Sequence, residues 1–405
     1  MAFDLSYSST GGAATEARQF VVSNGVLYCA LGNWMSSPAG QPRVIRRDAA
    51  GAAWEVETWF PPETMACACM AALNFGSRVV LACGFFGRSY VATRSVAGQW
   101  TLTKLGAGTN RVQIRSFGMH ADNQTKNRLA FAGHDTGIFS GTYDATAEGS
   151  IRWGASPELD TSQFPTMSGG HPQRVTSFAE LGRRLYAAIG QSVWRRTDGA
   201  RPKWTRVWIN PNPGTSQTGC RGLTAINGAL WVGVEGTNSR IVSLDPTTWV
   251  DTTLYDVSGP KHYYQIVAYN NFCVTKAANG AQIVLAGMDA TQTMPARYLA
   301  RVGGTWCSRP IAMPAITSHP MVALRTIIES PFHDGVLYWG GYDCNSHESA
   351  DTAWIATSAV SDVGVMLEEQ EEQEIGAFGR YVHHEDEDED ENEGEREDRT
   401  ESESA

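Results

Sequence analysis

The chain has 405 residues, 42% of them hydrophobic and 19% charged, with 41 glycines and 13 tryptophans. That composition excludes a disordered or collagen-like chain, and so many Gly and Trp residues favour short strands and turns over helical bundles. The net charge of -11 belongs to the C-terminus: from Met366 onward there are 18 acidic and 3 basic residues, so the remainder carries about +4.

In chain order, the N-terminus "MAFDLSYSSTGG" has no basic region leading into an apolar run, so no secretion leader is expected. No apolar run approaches the ~18 residues of a membrane span. Seven segments then follow, each with a strand that ends in or near Gly: "VLYCALG", "RVVLACG", "RLAFAG", "RLYAAIG", "ALWVGVEG", "QIVLAG" and "GVLYWGG". A Trp recurs where a later strand opens after a turn, at Trp54, Trp100, Trp153, Trp204, Trp249 and Trp306, with gaps of 46, 53, 51, 45 and 57 residues. Four short strands per unit at this period is the pattern of propeller blades. The seventh unit runs out after its third strand, "TAWIATSAV", and "AFDLSY" near the N-terminus is left over to supply a fourth.

On these grounds the chain resembles the seven-bladed β-propellers over residues 2–362. The resemblance implies an all-β ring closed by an N-terminal strand, with no exposed edge left between first and last blades. The "GH…WD" and kelch patterns are absent, so the resemblance brings geometry without a reaction.

In a propeller the first strand of each blade lines the central channel, and its start converges with the end of the second strand on one funnel. At first-strand starts stand Arg18, Arg115, Arg174, Arg221 and Arg325, whereas the two other units offer Cys67 and Cys69, or His262, Tyr263 and Tyr264. Five converging guanidiniums suit a carboxylate, sulfate or phosphate, because Arg presents paired, rigid donors. A scaffold contact between blades would produce the same recurrence. After the second strands come His134 and Asp135, Glu235, Asp289, and Tyr342-Asp343-Cys344-Asn345. An acid or base beside cations is what proton abstraction from, or hydrolysis of, an anionic substrate requires. His134 is expected as base with Asp135 orienting it, and Asp343 and Cys344 as further catalytic candidates. Tyr264 and Asn345 join the five arginines as ligand contacts.

No metal site is expected: the two thiols of "CAC" on one strand face have no second Cys or His pair at zinc spacing. No phosphate loop or dinucleotide fingerprint appears, and the sequence names no cofactor. The aromatics are accounted for by blade packing, so neither nucleic acid nor a membrane is an expected partner. Eight cysteines in apolar runs fit reduced core thiols and a cytoplasmic location. Residues 366–405 are expected to be a disordered acidic tail, solubilising or competing with an anionic ligand for the funnel. The functional expectation is a soluble binder of an anionic small molecule or acidic saccharide, as a lyase, hydrolase or isomerase. The alternative is a protein-interaction scaffold modulated by the tail.

Overall fold

The computed structural model describes residues 3–9, 16–32, 41–106, 112–213, 219–236, 239–256, 272–288, 297–311, 322–343 and 352–363. All of these belong to a first compact unit, Met1–Gly364; the second unit, Val365–Ala405, which contains the acidic tail, lies outside the described residues.

Seven antiparallel sheets follow one another along the chain. Blade 1 consists of Glu16–Ser23, Val26–Gly32, Arg43–Arg47 and Glu55–Trp59. Blade 2 consists of Cys67–Asn74, Val79–Phe85, Tyr90–Arg94 and Trp100–Lys104, and blade 3 of Ile114–Ala121, Arg128–His134, Gly137–Tyr143 and Ile151–Trp153. Blade 4 is Val175–Leu181, Arg184–Ile189, Ser192–Thr197 and Lys203–Ile209; blade 5 is Cys220–Ile226, Ala229–Val234, Arg240–Leu244 and Asp251–Asp256. Blade 6 is Cys273–Lys276, Gln282–Met288, Arg297–Val302 and Thr305–Pro310. Blade 7 joins Val322–Glu329, Val336–Asp343 and Thr352–Ala359 to the N-terminal strand Asp4–Ser8. The chain is therefore an all-β, seven-bladed propeller, closed as the leftover strand predicts.

That closing strand is also fastened to blade 1. Arg43 Nη2 donates to the Tyr7 hydroxyl at 2.8 Å, Arg47 Nη1 to Ser6 Oγ at 2.9 Å, and Trp54 Nε1 to the same Ser6 Oγ at 3.0 Å.

The repeat markers acquire physical reasons. The tryptophans sit on the fourth strand or in the turn before it; Trp153 closes its short strand rather than opening it, and Trp54 and Trp249 precede theirs. They cover the cores between blades: Trp54 packs on Phe20 and Tyr338, Trp100 on Phe60, Trp204 on Phe131, and Trp306 on Trp231. The second-strand glycines lie where the next blade's first strand comes closest. A Cβ on Gly84 would stand 2.6 Å from the Ile114 side chain, one on Gly133 2.7 Å from Val175 O, and one on Gly287 2.6 Å from Leu324 O. Glycine is thus required by close approach rather than by an unusual dihedral.

Candidate functional site

Every described first strand long enough to show it carries a bulge near its start, a feature the sequence does not announce. The register shifts between Ala17 and Gln19, Cys67 and Cys69, Ile114 and Ser116, Val175 and Ser177, Arg221 and Thr224, and Leu324 and Thr326. The extra residue is Arg18, Ala68, Arg115, Thr176 and Arg325 in blades 1, 2, 3, 4 and 7. In blade 5 the shift follows Arg221, where Gly222 adopts φ 59°. A bulge re-aims a side chain out of the alternating pattern of its strand. Three of the five predicted arginines, Arg18, Arg115 and Arg325, are the extra residue of a bulge, and Arg221 stands immediately before one.

Arg174 takes neither position. It lies one residue before its strand begins, because blade 4 puts its bulge on Thr176, and the expectation of one shared position is corrected accordingly. Its guanidinium nonetheless reaches the same mouth, where it feels Arg115, Asp135, Arg221 and Glu235. The "CAC" pair is corrected too. The bulge between the thiols turns them apart: Cys67 Sγ is directed to Arg43 O in blade 1 at 3.8 Å, and Cys69 Sγ to Ile114 O in blade 3 at 3.4 Å.

At four of the described seams the residue after a bulge staples one blade to its neighbour. Met70 N–H donates to Gln19 Oε1 at 2.9 Å, Ser116 Oγ to Val175 O at 2.9 Å, Leu223 N–H to Ser177 Oγ at 3.0 Å, and Phe20 N–H to Thr326 Oγ1 at 3.2 Å. These bonds occupy main-chain groups that a sheet edge would otherwise leave open.

The arginines are paired differently. Glu16, fully buried, accepts from Arg18 Nη1 at 3.0 Å and from Arg325 Nε at 2.6 Å, and Arg325 also donates to the Tyr342 hydroxyl at 3.0 Å. Within blade 3, Arg115 Nε donates to Asp135 Oδ1 at 3.0 Å; within blade 5, Arg221 Nε donates to Glu235 Oε2 at 2.5 Å. Phe86, at the end of blade 2, presents its ring to Arg18 at 4.4 Å and to Arg115 at 5.6 Å. Glu16, Asp135 and Glu235 thus pair with Arg18, Arg325, Arg115 and Arg221.

The proximity of like charges shows in Arg174. Burial, then the positive charges of Arg115 and Arg221, push its pKa down to about 10, despite opposing help from Asp135 and Glu235. Arg174 Nη2 donates to His171 Nδ1 at 3.3 Å, and burial followed by Arg174 and Arg115 keeps that imidazole below its usual pKa. The sequence offers His171 only as one of several scattered histidines that could face the channel; the fold is what brings it to Arg174.

His134 and Asp135 do not form the expected base and orienter. Thr136 N–H donates to His134 Nδ1 at 3.1 Å, which places the ring proton on Nε2, and that nitrogen donates to Ser89 Oγ at 2.9 Å. The Asp135 carboxylate is turned instead to Arg115 and to the N–H of Gln113 at 3.2 Å. Burial lowers the His134 pKa to about 4, against a smaller upward pull from Asp135. Asp343 ends the second strand of blade 7, opposite Val322, one residue beyond Tyr342. Cys344, Asn345, Tyr264, His262, Tyr263 and Asp289 lie outside the described residues. No group of three metal-ligating side chains occurs among the described residues, and the seven described cysteines are buried and unpaired with one another. No helix is long and apolar enough to cross a membrane among the described residues.

A cavity of about 250 Å³ lies directly inside the layer of bulges. It is bounded by Gln19, Phe20 and Val21, by Met70 and Ala71, by Arg115 to Phe117 and by Thr176 to Phe178. Arg115 belongs to both the mouth and this well.

No family model matches the chain, and no curated protein matches its sequence. Solved structures do resemble it. Virginiamycin B lyase from Staphylococcus aureus is 12% identical, with a TM-score of 0.54, over 88% of this chain and 100% of that one. A puromycin-hydrolysing peptidase of Mycobacterium tuberculosis is 10% identical with a TM-score of 0.50, over 87% of this chain and 52% of that one. The α-L-arabinofuranosidase Arb93A of Fusarium graminearum is 9% identical with a TM-score of 0.46, over 89% and 99%. At such identities the likeness is one of fold.

Proposed function

We propose that the protein binds a small anionic molecule or acidic saccharide at the arginine-lined mouth of its channel. The observation that carries this reading is the gathering of Arg115, Arg174 and Arg221 at one mouth, close enough that the charges of Arg115 and Arg221 both lower the pKa of Arg174. Bringing like charges together under partial burial is unfavourable without an anion, and a bound anion relieves it. The arginines divide by burial. Arg18 and Arg325 are 0% and 2% exposed and hold the fold, while Arg115 and Arg174 face the mouth and would hold the ligand.

Turnover of that ligand, by elimination, hydrolysis or isomerisation, is part of the proposal. Asp343, which ends the second strand of blade 7, and Cys344, which follows it in sequence, are its acid, base or nucleophile candidates, with Asn345 and Tyr264 as further ligand contacts. The lyase and the peptidase among the similar structures accord with such chemistry, although a propeller hosts many functions. Seven buried, unpaired thiols support a reducing, cytoplasmic setting.

A second reading is favoured by Glu16, which ties arginines of two blades together: the arginines serve the scaffold, and the rim binds a protein partner. Thermal shift of the full chain against sulfate, phosphate and small carboxylates separates the two. A ligand at a hundred times its Kd adds about 2.7 kcal/mol of stability. Shifts that vanish in Arg115→Ala and Arg174→Ala support the anion site. No shift with any anion, together with strong destabilisation by both substitutions, supports the scaffold.

A further inference from the structure

We infer that the end of the propeller opposite the arginine mouth carries, on blades 3 and 4, a docking surface for an acidic segment of a partner protein. This is independent of what the mouth binds. Three observations lead there.

The first is where the positive charge lies. Blade 4, residues 175–209, contains seven basic and two acidic residues, whereas blade 5, residues 220–256, contains two basic and four acidic. Blade 3, residues 114–153, balances four against four. The basic excess is thus concentrated on one blade rather than spread around the ring.

The second is what the fold does with the acids. At this end the turns 122–127 of blade 3 and 182–183 and 198–202 of blade 4 meet. Asn123 Nδ2 donates to Asp198 Oδ2 at 2.9 Å and to Arg183 O at 2.6 Å, and Gly199 N–H donates to Asp122 Oδ2 at 3.0 Å, so the three turns form one surface. The carboxylates there are engaged by groups beneath it. Buried Arg196 donates to Asp122 at 2.9 Å and to Asp198 at 2.7 Å, and the ring nitrogens of buried His120 lie 2.8 Å from Glu180 Oε2 and 2.9 Å from Asp198 Oδ1. The cations are left outside. Each turn, with the first residue of the strand after it, presents two: Lys126 and Arg128, Arg183 and Arg184, Arg201 and Lys203. All six are exposed, and none of them forms an ion pair among the described residues. Cations gathered in this way set up a local positive potential that attracts an acidic partner.

The third is what the surface lacks. None of the three turns contains an aromatic or a branched aliphatic side chain, so nothing is there to stack on a base or to enter a lipid layer. On blade 5, Asp245 is exposed in the turn after the third strand, at the same end, and bounds the positive area. A nucleic-acid duplex or a membrane would extend past that boundary onto like charge, whereas a short run of carboxylates fits within it. Four of the six cations are arginines, whose paired donors match carboxylates.

Fluorescence anisotropy on the full chain with a labelled oligoglutamate peptide tests the inference, with a labelled DNA duplex and phosphatidylserine vesicles as competitors for the reading. The peptide is expected to bind, and to weaken at least tenfold as salt is raised from about 0.01 to 0.15 M, over which the screening length falls from about 30 to 8 Å. Duplex and vesicles should bind at least tenfold more weakly. Arg201→Glu and Arg183→Glu, both at exposed positions, should each weaken the peptide at least fivefold; Lys276→Glu, the same change of charge at the same end of blade 6, should leave it within twofold. No peptide binding, an equal loss in Arg201→Glu and Lys276→Glu, or a duplex or vesicle bound as tightly as the peptide overturns the inference. So does a peptide lost in Arg115→Ala and kept in Arg201→Glu, since that places it at the mouth.

Discussion

Glu16 and Arg325 are 309 residues apart in sequence and 2.6 Å apart in the fold, and their ion pair lies where the last blade meets the first. The same carboxylate holds Arg18, so one buried negative charge serves two buried cations.

Removing that charge should be costly. Glu16→Gln keeps the shape and leaves two guanidiniums without their shared counterion. Breaking a buried pair typically costs about 3–5 kcal/mol. Urea unfolding should show a loss in that range, and a midpoint within error of the unaltered chain would show that the pair does not hold the ring shut.

His134 predicts a pH dependence. The unfolded chain takes up the imidazole proton near 6.5 and the folded chain only at about 4, so between these values the unfolded state carries more protons. Stability from this group is complete above about pH 6.5, falls as the pH is lowered toward 4, and changes no further below it, by on the order of 3 kcal/mol in all. Unfolding followed from pH 7.5 to 4 should show the slope, and His134→Gln should flatten it while losing the bond to Ser89.

Asp122 acts at lower pH. Burial raises its pKa, but the N–H groups of Thr125, Gly199 and Gln124 and the Arg196 guanidinium more than offset this and hold it well below 3.8. The sign is opposite to that of His134: the stabilisation is present above about pH 4 and is lost as the pH falls below the ordinary carboxylate range. Because Gly199 and Arg196 belong to blade 4 and Asp122 to blade 3, Asp122→Asn should loosen one seam. Hydrogen exchange should rise first in the hairpin containing Arg196, with a global loss of about 3–5 kcal/mol. Uniform exchange rates unchanged from the parent would count against it.

Gly133 tests the close approach of blades. A valine there would press on Val175 O and Ser116, and overpacking of this kind costs about 1–3 kcal/mol or more. Gly25, with open space around it in a hairpin turn, is the control: its strain on substitution comes from its φ of 77°, and Gly25→Asn should be tolerated. A Gly133→Val variant as stable as Gly25→Asn would mean that the blades can move apart freely.

The sequence alone determined the number of blades, the closing strand and the arginines that gather at the mouth. These are written in local signals: strand runs that end in glycine, tryptophans near turns, and an Arg at the first-strand start of five of the seven units. Partnership was not legible there. The sequence grouped His134 with Asp135 because they are adjacent, yet the fold turns one to Ser89 and the other to Arg115. Placing Arg174 with the others relied on spacing, and a bulge on Thr176 displaced it. The two thiols at Cys67 and Cys69 were assigned to one face by alternation, which the bulge between them breaks. Most of these bulges use ordinary residues, so no sequence mark distinguishes them. Which carboxylate meets which arginine depends on how neighbouring sheets pack, and Glu16 and Arg325 become neighbours only when the ring closes.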